Sequence, residues 1–192
     1  MKDPDDPRPA SAAAVQRDER PIRLLKKASI ALVALCAGEL LLRFVARVAD
    51  KERGIRHDAV LGWRMIPGVT RTGPMWGGEL PTTLNSAGWR DEEFGPKTPG
   101  RLRIVALGDS FTFGVGADHG ARYTEQLERM HPGLEVLNLG MNALGPDQEL
   151  LVLEHHGLSL EPDVVLCQVF EDNDFTDVAC TINGYWPKPW FR

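Results

Sequence analysis

The chain has 192 residues, 43% hydrophobic and 26% charged, with a formal net charge of -5 and a pI near 5.6. That length suffices for one domain with a sizeable core plus an appendage. The acidic balance excludes a surface built to track phosphates, so no nucleic-acid partner is expected. Cys36, Cys167 and Cys180 show neither a C-x-x-C nor a Cys/His ligand spacing, which argues against a disulfide framework or a structural zinc. Cys36, in an apolar run, and Cys167, in an expected buried strand, read as small hydrophobes rather than reactive thiols. No cofactor is expected.

Residues 1–23 are rich in Pro, Asp, Arg and Ala without apolar periodicity, the composition of a disordered tail. Residues 24–48 are read as a transmembrane anchor helix. The run Ala28 to Leu42 holds one charge, Glu39. Alone it is too short, but counting from Leu24 to Val48 reaches the ~20 mostly apolar residues that a span needs. Lys26 and Lys27 then snorkel at one interface, and Arg43 and Arg47 sit near the other. Glu39 and Arg43 are four apart and pair on a helix. The competing reading is an amphipathic helix lying on a membrane or packed on the domain. A cleaved signal peptide lacks a small-residue cleavage site here, and Leu35 stands where a lipobox before Cys36 needs a small residue. Basic residues flank both ends, so charge does not orient the span.

Residues 49–100 form a Gly/Pro-punctuated connector with short strands. Gly62 to Gly68 reads as an extended piece ended by Pro67-Gly68, and Leu84 to Arg90 as a turn on Gly88. Trp89 is expected on the domain edge, with Arg90 paired to a surface acid. Residues 101–192 then alternate in type. Leu102 to Leu107, Leu134 to Leu137 and Val164 to Phe170 read as strands, the last an apolar run suited to a sheet buried on both faces. Tyr123 to Met130 reads as a helix with Leu127 and Met130 facing inward. Pro146 to His156 reads as a second helix, with Pro146 in its first turn, Leu150, Leu151 and Leu153 as apolar bulk, and Gly157 as its stop. Strand-helix-strand-helix-strand predicts βαβ units and a parallel sheet.

The candidate chemistry lies where the first core strand ends, in Leu107-Gly108-Asp109-Ser110-Phe111-Thr112-Phe113-Gly114. Ligands of open α/β sheets bind at the carboxyl ends of strands, so a serine hydroxyl leaving the strand is placed to attack an ester or amide. Ser110 equally suits a helix cap. A P-loop is excluded by the missing Lys and spacing. Thr112 stands where the Gly-x-Ser-x-Gly elbow has its second glycine.

Gly108-Asp109-Ser110 resembles the first signature block of the SGNH (GDSL-type) serine hydrolases. Asn138-Leu139-Gly140 resembles the second block, and Asp172-Asn173-Asp174 the third. The resemblance covers about residues 60 to 192 and implies a flavodoxin-like three-layer α/β/α fold with a parallel sheet, incomplete here, behind an N-terminal transmembrane helix. It implies Ser110 as nucleophile, with the main-chain N–H groups of Ser110 and Gly140 and the Asn173 amide as oxyanion donors. Two departures stand out. Glu171 occupies the position of a glycine in the third block, and the family's Asp-x-x-His is missing, because none of His57, His119, His131, His155 and His156 lies in such a motif. The expectation is therefore a shortened form of a longer hydrolase, lacking its general base and poorly active as it stands. Implied are an acyl-serine intermediate, an acylated carbohydrate, lipid or small ester as substrate, and an extracytoplasmic catalytic domain. The alternative is a catalytically inactive SGNH-like binding module on the same anchor. Trp186, Trp190 and Phe191 are candidate lid or sugar-stacking residues, or exposed for want of packing partners.

Overall fold

The computed structural model describes residues 20–73, 76, 78–180, 182–183 and 186–188. The expected disordered tail lies largely outside the described residues, as do Trp190, Phe191 and the side chain of Trp186. The chain divides into two compact units, Met1–Ala46 and Arg47–Arg192.

Helix α1 spans Arg20–Arg53. Its segment Arg23–Ala49, 27 residues, is long and apolar enough to cross a membrane, and none of it is buried within the protein. Glu39 and Arg43 pair along one face at 2.8 Å, the one-turn spacing expected of an i, i+4 pair.

After α1 come two antiparallel hairpins. Strands β1 (Ile55–Asp58) and β2 (Gly62–Met65) pair from Ile55↔Met65 to Asp58↔Gly62. Strands β3 (Thr70–Gly73) and β4 (Gly78–Thr83) pair through Thr70↔Thr83. This segment is more than a connector. Ile55, Leu61, Trp63, Met65, Trp76, Leu84 and Trp89 are all buried and belong to one apolar cluster with Val105, Leu107, Phe113 and Leu139. The expectation for Trp89 and Arg90 is corrected. Trp89 is 4% exposed and Arg90 2%. Arg90 donates to the carbonyls of Phe113 (3.1 Å), Gly114 and Ala117 (2.7 Å) rather than to a surface acid.

The remaining elements are β5 (Leu102–Leu107), α2 (Ser110–Phe113), α3 (Tyr123–Met130), β6 (Leu134–Asn138), α4 (Pro146–Val152), β7 (Val164–Cys167) and α5 (Asp174–Ala179). A short pair, β8 (Ile182–Asn183) and β9 (Trp186–Pro187), follows. The central sheet has three strands in the order β6-β5-β7, all parallel. The protein is thus a mixed α/β domain with one long apolar N-terminal helix. Within β5, Val105, Ala106 and Leu107 are at most 1% exposed. Arg103, 2% exposed, pairs with Glu135 at 2.7 Å and donates to the carbonyls of Leu160 and Gly95.

Several element-level expectations need correction. Strand β7 stops at Cys167 and all four of its residues are exposed, Cys167 included. Among the described residues it pairs on one side only, so the apolar run that reads as doubly buried forms an edge of the described sheet. On α3, Met130 is 67% exposed while Thr124 is fully buried. On α4, Gln148, Glu149 and Val152 turn inward and Leu150 is 47% exposed. The α-helix ends at Val152, and one wider turn, Leu153–Gly157, carries the chain on.

Trp63 tests whether the hairpins belong to the core. It is fully buried, so Trp63→Ala is expected to lower stability by about 3–5 kcal/mol, as large-to-small changes at buried aromatics do. The check is the denaturant midpoint of the full chain in detergent.

Candidate functional site

The β6-β5-β7 order brings three loops side by side at the carboxyl ends of parallel strands. Ser110 follows β5, Gly140 follows β6 and Asn173 follows β7. Asp109 caps α2, its Oδ1 accepting the Phe111 N–H at 2.9 Å. Ser110 therefore begins the helix, and the cap is its neighbour. The Ser110 hydroxyl donates to Asp109 Oδ2 at 3.5 Å and, among the described residues, meets no histidine. A Cβ on Gly108 would run into Thr112 Oγ1, and would stand 2.7 Å from the Gln168 side chain. Only a glycine allows the chain to turn this tightly.

Gly140 is pressed against α2. A Cβ there would lie 2.5 Å from Phe113 N and 2.6 Å from the Thr112 carbonyl carbon. Its N–H donates to Asn138 Oδ1 at 2.9 Å. The Asn138 amide nitrogen donates onward to the Thr112 carbonyl (2.7 Å) and to Thr124 Oγ1 (3.1 Å). Just beyond, Ala143 adopts φ of 62°, a left-handed conformation that costs about 1–2 kcal/mol in a non-glycine residue. This loop is held in an unfavourable shape by its surroundings.

Asn173 lies in the loop between β7 and α5. Its side-chain nitrogen donates to Asp177 Oδ2 at 2.6 Å. A carboxamide NH₂ carries two protons, so one remains after that bond. The Ser110 and Asn173 loops touch through Phe111 and Phe170, whose ring centroids are 4.6 Å apart. They are also joined through Gln168. Its neighbours fix the amide with Nε2 facing Asp109 Oδ1 at 2.9 Å and Thr112 Oγ1 at 3.2 Å, its oxygen accepting the Phe170 N–H. Asp174 Oδ2 accepts the same N–H at 2.7 Å.

Sequence reasoning assigned no role to the polar groups that surround these loops. Asp91 Oδ2 accepts the Asn138 N–H at 2.7 Å, and burial pushes its carboxyl up to about 7 against the pull of that bond and of Arg122. Asp91, His119 and Glu125 offer one ligand atom each within 4.8 Å of one another, a spacing a divalent cation could bridge. Arg122 occupies that place. Its side chain is fully buried, with Nη2 bonded to Glu125 Oε1, 2.9 Å from His119 Nδ1 and 3.8 Å from Asp91 Oδ1. An arginine only donates, so His119 Nδ1 accepts and the imidazole is neutral; burial and Arg122 both depress its pKa. The same Arg122, together with burial, brings the Arg90 guanidinium down to about 10. A cavity of about 360 Å³ opens beside this cluster, lined by Thr82, Thr83, Asn85, Arg90, Asp91 and His119 among others. Ser110 does not line it.

No family model and no curated protein matches this sequence.

The contact of Gly140 with α2 gives a direct test. Gly140→Ala must push α2 away from the loop, and overpacking of this kind costs about 1–3 kcal/mol. A denaturant midpoint unchanged from wild type would show that the two backbones are not this close.

Proposed function

We propose that this chain is a membrane-anchored serine hydrolase of the SGNH type, acting through an acyl-Ser110 intermediate on an acylated carbohydrate, lipid or small ester. The observation that carries the reading is the strand order. With β5 central, the loop bearing Ser110 lies between the loops bearing Gly140 and Asn173, as a shared oxyanion pocket requires. A flavodoxin-like three-layer architecture belongs to the same proposal, with the three parallel strands as its visible part. The apolar helix α1 supplies the anchor, with the hydrolase domain outside the cytoplasm.

In this mechanism Ser110 Oγ attacks the ester carbonyl, and a base takes its proton as the bond forms. The negative charge arriving on the carbonyl oxygen is met by the N–H groups of Ser110 and Gly140 and by Asn173. Both outer donors are engaged in the resting loops, Gly140 with Asn138 and Asn173 with Asp177. Catalytic hydrogen bonds commonly tighten only when substrate arrives, and the Asn173 amide has a second proton to donate.

One observation favours the second reading, an inactive binding module on the same anchor. Among the described residues Ser110 has Asp109 as its partner and no imidazole. His119, the histidine nearest in sequence, is engaged by Arg122.

A fluorophosphonate probe separates the two. Labelling that disappears in Ser110→Ala supports the hydrolase, and its rate is expected to be low for want of a base. The Asn173→Ala variant should slow the Ser110-dependent reaction by about 10²–10³-fold, the effect of losing one oxyanion donor. Complete absence of Ser110-dependent labelling would favour the binding module.

A further inference from the structure

Three buried acids at and beside these loops have no proton-transfer role in the hydrolase reading. Asp109, Glu149 and Asp174 are 3%, 3% and 1% exposed. Glu149 Oε1 and Asp174 Oδ1 are buried without a hydrogen-bond partner among the described residues. The charges that bear on Glu149 are those of Asp174, Asp109 and Asp147, all acidic. From the other packed elements it faces Tyr123 of α3 and Cys167 of β7, both neutral groups whose ionisation it opposes. The nearby cation, Lys188, is committed to Asp147 at 2.8 Å and to the Asp177 carbonyl. Asp177 adds a further like charge to Asp174.

Buried carboxylates that share one region without a cation cannot all ionise. We infer that Asp109, Glu149 and Asp174 form a proton-controlled latch on the loop between β7 and α5: with the cluster protonated the loop is docked, and its ionisation drives Asp174 outward and releases the adjacent Asn173. The mechanical link is short. Asp174 Oδ2 holds the Phe170 N–H, and the Asp174 N–H donates back to the Phe170 carbonyl at 3.2 Å. Displacing the Asp174 carboxylate removes the first bond and loosens the second, and Asn173 moves with them. Glu149 is a positioning residue here and touches no substrate. The latch follows from the burial of these acids and not from the hydrolase reading; its effect on turnover rests on that reading, since Asp109 also accepts from the Ser110 hydroxyl.

The direction of the pH effect follows from the folded state. Burial, then the acidic neighbours, push the Glu149 carboxyl from 4.5 up to about 8, and Asp109 and Asp174 are raised as well. A raised acid stabilises the docked state at low pH, and that stabilisation drains away as pH climbs from the unfolded value through the folded one. Asp91 drifts the same way, so the assignment to Glu149 depends on a variant.

The experiment is amide hydrogen exchange on the full chain in detergent, corrected for intrinsic exchange. The reporters are the Asp174 N–H on the Phe170 carbonyl and the Asp177 N–H on the Asn173 carbonyl. Their protection is expected to fall by about tenfold or more between about pH 6 and pH 9 in wild type, and to stay level in Glu149→Gln. Asp174→Asn keeps an oxygen for the Phe170 N–H while removing the like charge. It should give the same flattening and serves if Glu149→Gln does not fold. Level protection in wild type, or a fall of equal size in both variants, overturns the latch. Exchange is read without substrate, so that outcome leaves the assignment of Ser110 standing, and absent probe labelling leaves the latch standing.

Discussion

Asn138 is fully buried at the end of β6, and its hydrogen bonds gather the pieces of the candidate site. Its amide nitrogen satisfies the Thr112 carbonyl in α2 and Thr124 in α3, and its side-chain oxygen takes the Gly140 N–H. Its own backbone N–H goes to Asp91 Oδ2, which comes from the segment before the sheet. A buried carboxamide is tolerated only when its donors and acceptor are used, and here the using of them is what aligns four separate stretches of chain. Replace it with an apolar residue and Gly140 N–H, Thr112 O and Thr124 Oγ1 all lose their partner at once, while the backbone bond to Asp91 stays. The position of the loop after β6 therefore depends on polar satisfaction as well as on the apolar packing of Leu139, Met141 and Leu144, all buried in the core.

The hairpin segment works on the same loops from the other side. Arg90 reaches three carbonyls that close α2 and the turn after it, and Arg122 donates to the Arg90 carbonyl. Two adjacent buried guanidinium groups repel, and the arrangement survives because Asp91 and Glu125 stand against Arg122. Removing one partner of such a buried set leaves an uncompensated charge, which is far more damaging than losing a surface pair. This is why residues 49–100 cannot be treated as a tether: they carry the tryptophans of the core and also the cation that fixes the turn beyond Ser110.

The parts legible in the sequence are those set by local pattern. Leu102–Leu107 and Tyr123–Met130 are found with the boundaries that their periodicity predicts, and Glu39 meets Arg43 one turn away on α1. The parts that were not legible depend on long-range partners. The apolar run after Pro162 predicts a doubly covered strand, but whether a neighbour pairs on its far side is not written in the run itself, and β7 is an exposed edge. Helix α4 shows the same limit. Its leucines read as the core face, yet Gln148 turns inward and its Nε2 serves the Leu61 carbonyl at 2.6 Å in the turn between β1 and β2, 87 positions away. The resemblance to serine hydrolases marked Ser110, Gly140 and Asn173 from three short blocks. It pointed to none of Asp91, Arg122 and Glu149, whose roles arise from burial.

Cations and acids are distributed unequally around the candidate site, and that inequality constrains what it can do. On the side of α3, Arg122 stands against the carboxylates of Asp91 and Glu125 and donates to the neutral His119 ring. Around α4 and α5, Glu149 and Asp174 are buried with one carboxylate oxygen each unpartnered among the described residues, and Asp109 and Asp174 both push the Glu149 carboxyl up. A carboxyl kept protonated by such surroundings is a hydrogen-bond donor, whereas an ionised one only accepts. Asp109 beside Ser110 and Asp174 beside Asn173 are both held above the ordinary carboxylate range by burial, so the polar character next to both residues changes with proton uptake. The loop after β7 is held by Asp174, by Gln168 and by the contact of Phe170 with Phe111, and the strand that leads into it is exposed.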